Sequence, residues 1–229
     1  MKIITLLTGK IEQLEPERVP SAIKKKATFK REQVLETGLV NDNQADKKHH
    51  GGPDKAIHHY AFEHYEYWKN VAGISKPEVL CEGGFGENIS TVGMDESSVC
   101  IGDKYHVGSV VLEVSQARQP CWKLNLRFGH PDMSLMVQDS LRTGWYYRVL
   151  EEGWLQAGDA FTLLERNWPE WTLRRLLYVL YIDTQNKQLL EEMTHIAPLA
   201  ESWKSIALRR LGKGFTEDWS KRLYNKYQH

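Results

Sequence analysis

The chain has 229 residues, 41% of them hydrophobic, an ordinary composition for a globular fold. That length suffices for one large domain or for a main domain with a small appendage, and no apolar run approaches membrane-helix length. Lysine plus arginine balance aspartate plus glutamate at 30 each, which argues against general nucleic-acid binding, where a basic excess is the rule.

The first ten residues have too short an apolar stretch for a signal peptide and no small-residue cleavage site, so they read as a first strand. Apolar and β-branched patterning predicts strands over 3–7, 22–27, 104–107, 110–114, 146–150 and 161–165. Gly51-Gly52-Pro53-Asp54, Gly83-Gly84 and Gly158-Asp159 mark turns between them. Ala61, Tyr65, Trp68 and Ala72 recur at helical spacing, predicting a helix over 61–72, and a second short one takes in Leu135, Met136 and Asp139. Many short strands with long connections predict a β-barrel or distorted β-sandwich, not a doubly wound sheet.

The texture changes after Arg166. Leu173, Leu176, Leu177 and Leu180 share one helical face, Leu189, Leu190 and Met193 fit another helix, and Trp203, Ile206, Ala207 and Leu211 fit a third. An aromatic and basic tail over 215–227 has helical character too. The expected organisation is therefore a β domain over 1–166 and a helical unit over 167–229. Arg174, Arg175, Arg209, Arg210, Lys221 and Arg222 read as its exposed cations, suited to an acidic partner surface.

Three cysteines cannot all pair, and a chain of this size needs no disulfide framework, which points to a reducing cytoplasm. Cys100, inside Val99-Cys100-Ile101, reads as core, and Cys81 precedes an acidic, glycine-rich stretch. Cys121 differs. The β-forming run Val110-Val111-Leu112-Glu113-Val114 ends shortly before it, and Pro120 shapes a turn that presents the thiol. Arg118 and Lys123 flank it, and cations beside a thiol favour the thiolate that binds soft metals or attacks electrophiles. The competing reading is a buried cysteine acting as a small hydrophobe.

Three polar clusters accompany that thiol. Residues 41–55 are dense in hydrogen-bonding groups, and Gly51 and Gly52 let backbone N–H groups approach a ligand, although a solvated loop has the same composition. His49, His50, His58, His59 and His64 crowd the same region. If 57–60 is a strand, His58 and His59 point to opposite faces and cannot hold one metal, and no zinc-type spacing is present. Gly83-Gly84-Phe85-Gly86-Glu87-Asn88-Ile89-Ser90 has the glycine density of a phosphate loop without its Gly-Lys-Ser/Thr ending; a tight turn entering a strand at Asn88 is the other reading. Ser21, Lys24, Lys25 and Lys26 supply a hydroxyl and three cations for a phosphate, or a solvated strand edge. Alternation puts Lys24 and Lys26 on one face and Lys25 on the other.

In order along the chain, Asn43-Gln44-Ala45-Asp46, His50-Gly51-Gly52-Pro53-Asp54-Lys55-Ala56, Gly84-Phe85-Gly86-Glu87-Asn88-Ile89-Ser90, Ile101-Gly102-Asp103, Val114 through Leu124 and Gly144-Trp145-Tyr146 resemble the MOSC domain. That module is related to the C-terminal part of molybdenum-cofactor sulfurases. The likeness is strongest to its YiiM-type members with a C-terminal three-helix domain, and extends through Arg209-Arg210-Leu211 and Asp218 to Leu223. One departure is Asn41-Asp42, where the family often has Gly-Asp.

The resemblance implies a β-barrel core binding a molybdenum cofactor of the molybdopterin type, with Cys121 as metal ligand. It also implies reduction of N-hydroxylated compounds, including base analogues such as hydroxylaminopurine, with electrons from a flavoprotein partner. Ser21, Lys24, Lys55 and Arg118 are the candidates for the cofactor phosphate; Asp46, His50 and Asn88 for the pterin edge or the metal's surroundings. Asp46 and His50 are also candidate proton donors. A second expectation stays open: a cofactor carrier or sulfur-transfer module without reductase activity. A metal-free thiol redox protein is disfavoured, since no resolving cysteine lies near Cys121 in sequence.

Overall fold

The computed structural model describes residues 1–46 and 51–225. The first half of the chain supplies β1 (Ile3–Gly9), β2 (Glu12–Leu14), β3 (Val19–Ser21), β4 (Lys25–Thr28), β5 (Glu32–Leu35) and β6 (Gly38–Leu39). After these come β7 (Ile57–Ala61), helix α1 (Glu63–Lys69), β8 (Ile89–Thr91), β9 (Lys104–Val107) and β10 (Val110–Ala117). Two helices, α2 (Lys123–Phe128) and α3 (Met133–Ser140), then lead into β11 (Trp145–Glu151), β12 (Gly153–Leu155) and β13 (Phe161–Glu165). Four helices close the chain: α4 (Leu173–Tyr181), α5 (Lys187–Thr194), α6 (Glu201–Lys213) and α7 (Ser220–Tyr224).

Eight strands form one sheet in the order β13-β9-β10-β11-β7-β8-β1-β4. All its pairings are antiparallel except β7 with β8. The sheet curls until the start of β13, at one edge, reaches the start of β1, next to the other: Lys2 bridges Ala160, and Ile3 N donates to Asp159 O at 2.9 Å. The fold is thus mainly β and barrel-like with appended helices, as the strand and helix patterns predict.

The helices dock through the stripes that predict them. Leu173, Leu176, Leu177 and Leu180 are buried, each contributing roughly 1.5–3 kcal/mol by leaving water. Thr172 and Asn186 cap α4 and α5 by accepting from Arg175 N and Leu189 N, satisfying donors the first turn leaves unpaired. One apolar cluster runs from Ile3, Leu112 and Trp145 of the sheet into Leu176, Met193 and Trp203 of the helices. A second packs Tyr60, Trp68, Phe85 and Phe128 together against the outside of the sheet. No helix among the described residues is long and apolar enough to cross a membrane.

Three local expectations are corrected. The strand expected over 22–27 starts only at Lys25, because the Ser21 hydroxyl accepts from Ile23 N and turns the chain first. The helix expected over 61–72 starts at Glu63, since Ala61 completes β7 opposite Thr91. Arg210 and Arg222 do not lie free on the helical surface. Arg210 is 1% exposed, bonded to Glu217 and to the carbonyls of Val179 and Leu180, and Arg222 is half-buried against Pro120 and Gln138.

Candidate functional site

A cleft opens on one side of the curled sheet, with about 640 Å³ of empty space counting its mouth and the solvent in it. The end of β3 contributes Ser21, the start of β4 Lys25, and β7 and β11 contribute His58 and Tyr146. The loop after β10 adds Arg118, Cys121 and Lys123, while loop residues Asp42, Asp46, Lys55, Gly86 and Asn88 complete the wall. Five of the seven residues expected to hold a cofactor or move protons, apart from Cys121 itself, are therefore together. The other two are Lys24 and His50. Lys24 faces outward and meets Glu12 at 3.7 Å, with Lys25 in the wall instead. His50 lies outside the described residues.

Asp42 organises one side of the cleft. Its carboxylate accepts from Gly9 N at 2.7 Å and Asn88 Nδ2 at 2.9 Å and forms an ion pair with Lys25, both side chains nearly buried. Burial pulls the Lys25 ammonium below its ordinary value, and Asp42 opposes that pull. Asn88 spends its second amide hydrogen on Leu7 O and its carbonyl on His58 N. With both donor hydrogens committed to protein, Asn88 fixes β1, β7 and Asp42 and has none left to give a ligand.

The opposite side is built around Arg118. Its residue is 7% exposed, its backbone N–H donates to Gly144 O at 2.9 Å, and its Nη1 is buried with no hydrogen-bond partner among the described residues. Gly144 is required here: φ is +74°, and a Cβ would sit 2.4 Å from His59 O. Buried Glu96 accepts from Gly144 N at 2.7 Å while bonding His64 at 2.6 Å, so this turn is held from behind. Beside Arg118, burial and then that cation push His58 well below its ordinary value, keeping the imidazole neutral. His58 Nε2 is likewise buried without a partner. Burial raises the Tyr146 phenol, and Arg118 opposes the rise.

Cys121 is half-buried and follows the irregular stretch 118–120, as the turn at Pro120 predicts. Its carbonyl accepts from Leu124 N at 3.0 Å, tying it to the start of α2. Burial pulls the Lys55 ammonium in the cleft wall below its ordinary value, and the charges of Asp54 and Asp46 oppose that pull. The lining thus combines one thiol with the cations Lys25, Lys55, Arg118 and Lys123 and the carboxylates Asp42 and Asp46. Among the described residues no three of His, Cys, Asp and Glu gather to hold a metal. Cys100 is buried against Pro169 O, and Cys81 is exposed elsewhere.

Among the titratable residues of the lining, Lys25, Asp42, His58, Lys123 and Tyr146 stand outside the site assignments made from sequence. Alternation separates His58 from His59 and Lys25 from Lys24 without saying which member faces a ligand.

Residues 46–162 match the model of the MOSC domain, and residues 171–214 that of the YiiM-like 3-alpha helix domain. The chain belongs to the MOSC domain family. YiiM of Escherichia coli (strain K12) is 36% identical over 223 residues, covering 97% of this chain and 98% of the relative. A protein named "Reductase" from Gibberella moniliformis is 38% identical over 176 residues, 76% of this chain but 31% of that longer protein. The crystal structure of YiiM from Escherichia coli has a TM-score of 0.81 at 28% identity, covering 98% of this chain and 99% of that one. The MOSC match takes in Lys55, Asn88, Arg118, Cys121 and Tyr146; Ser21, Lys25 and Asp42 come from the segment before it.

Proposed function

We propose that this MOSC protein is a molybdenum-cofactor-dependent reductase that removes oxygen from N-hydroxylated amines, including base analogues of the hydroxylaminopurine type. The observation that carries the reading is that Cys121 and Arg118 share the wall of one cleft, with Arg118 Nη1 buried and lacking a hydrogen-bond partner among the described residues. A buried guanidinium atom left unpaired costs stability unless a ligand completes it, and a phosphate oxygen is its natural partner. A thiolate in a wall where the described residues gather no three metal-ligating side chains fits a metal whose other donors come with a cofactor. Bound there, a molybdopterin-type cofactor supplies two-electron redox chemistry at a soft metal.

The chain's own residues have separable tasks. Cys121 holds the metal; Arg118, Lys55 and Ser21 hold the phosphate, with Lys123 adding positive charge. The neutral ring of His58 carries no charge to repel that arrangement or to compete with Arg118 for an anion. Cleaving an N–O bond to amine and water takes two electrons and two protons, and Asp46, with His50, is assigned to delivery of the protons. The electrons come from a flavoprotein donor. The test is turnover of an N-hydroxylated purine by molybdenum-loaded protein with a chemical reductant. Many equivalents of amine per molybdenum support the reading; none, with stoichiometric release of cofactor to an apo-enzyme, replaces it with a carrier role.

A further inference from the structure

The last described helix, α7, lies beyond residue 214, where the match to the 3-alpha helix domain model ends, and docks on the turn that carries the thiol. One residue does the bracketing. Arg222 Nη1 donates to Pro120 O at 2.5 Å, and Arg222 O accepts from Trp122 N at 2.8 Å. The peptide groups on both sides of Cys121 are therefore bonded to the same side chain and backbone. Arg222 Nη2 extends the clamp to Gln138 Oε1, itself buried in α3, at 2.5 Å.

The helix is anchored so that it can hold. Asn125 Nδ2 and Ser134 Oγ donate to Leu223 O at 2.9 and 2.8 Å, and Tyr224 OH donates to Asp132 at 3.1 Å. These bonds reach α2 and α3, the two helices that follow Cys121. Between the end of β10 and the start of α2 the chain has no regular backbone ladder of its own. A donor atom on such a segment would sample many positions, and each would have to be given up on coordination.

We infer that Arg222 is a positioning residue: by pinning the carbonyl before Cys121 and the N–H after it, α7 fixes the thiol's direction into the cleft. The inference rests on the reading of Cys121 as a metal ligand, but its test does not require the metal. Alkylation of Cys121 by iodoacetamide is followed against pH in full-length, cofactor-free protein, with exposed Cys81 as internal reference. The plateau at high pH reports access to the thiol separately from its ionisation.

Arg222→Ala is expected to raise the Cys121 plateau about tenfold relative to Cys81, the change in a local opening equilibrium from losing a charge-assisted hydrogen bond. Arg222→Lys, which keeps the charge but loses the two-pronged geometry, is expected to fall between. An unchanged ratio in folded Arg222→Ala overturns the inference, as does an equal rise at Cys81, which marks general loosening. If Arg222→Ala does not fold, Arg222→Lys and Tyr224→Phe carry the test, and wild-type ratios in both overturn it. Molybdenum retained by Cys121→Ala would defeat the ligand reading while leaving the labelling result as it stands.

Discussion

Neighbouring residues on β7 face two different worlds. His59 points into the core, where its Nδ1 meets Tyr147 OH at 3.0 Å, its Nε2 meets Thr91 Oγ1 at 2.8 Å, and the tilted Trp145 ring lies 4.2 Å from it, centroid to centroid. His58, one residue earlier, points into the cleft wall beside Arg118, and its Nε2 has no hydrogen-bond partner among the described residues. Both rings are held neutral by burial, yet only the first is completed by protein. The same strand thus stabilises the fold with one face and lines the candidate cleft with the other. A ring satisfied on both nitrogens contributes to folding, whereas unpartnered groups such as Arg118 Nη1 are tolerated where a ligand finishes the network.

The largest test of this contrast is His59→Ala, which removes two hydrogen bonds and opens a core cavity. A loss of about 3 kcal/mol in urea unfolding is expected, and a loss well under 1 kcal/mol would erase the contrast. Arg118→Met should do the reverse: thermal stability stays level or rises, because a buried cation with an unpaired atom is gone, while phosphate-bearing cofactor binds more weakly by about 2 kcal/mol. Retention of molybdenum through gel filtration, compared with wild type, reads the second half.

Acid should expose both rings together. The unfolded-state histidine titrates near 6.5, and burial lowers the folded value for His59 to about 3 and for His58 well below normal. Between those values the unfolded chain binds protons the folded one refuses, so their contribution is complete above pH 6.5 and declines as pH falls toward 3. From pH 6.5 to 5 the loss is about 2 kcal/mol for His59, with His58 adding in the same direction. A urea midpoint that stays flat across this range, corrected for the carboxylates by a His59→Gln control, would contradict the assignment. The smallest effect belongs to Lys24→Ala: its pair with Glu12 is 3.7 Å long and both side chains are over a third exposed, so stability should move by less than about 0.5 kcal/mol. Metal content should not move at all.

The fold was legible wherever a period ran long enough to be counted. β9 and β13 coincide with the expected strands, and the leucine stripe of α4 with its buried face. Helix α2, six residues long, is too short for a period and went unseen. In the candidate site, Cys121 and Arg118 were legible because one contiguous motif contains both. His58 and Lys25 were not, since alternation fixes relative orientation only; the pairing of β7 with β11 and of β4 with β1 decides which side chain points inward. Asp42 was hidden for a further reason: its partners Gly9, Lys25 and Asn88 lie 17–46 residues away, and no local pattern records such a convergence.

The central claim, that Cys121 holds a metal inside this cationic cleft, is tested most directly by molybdenum per chain. Wild type and Cys121→Ala are purified side by side from a host that makes the molybdenum cofactor, with folding checked by circular dichroism. Near-stoichiometric molybdenum in wild type that disappears in the variant is the predicted result. Equal molybdenum in both, or none in well-folded wild type while a control molybdoenzyme loads fully, would contradict it.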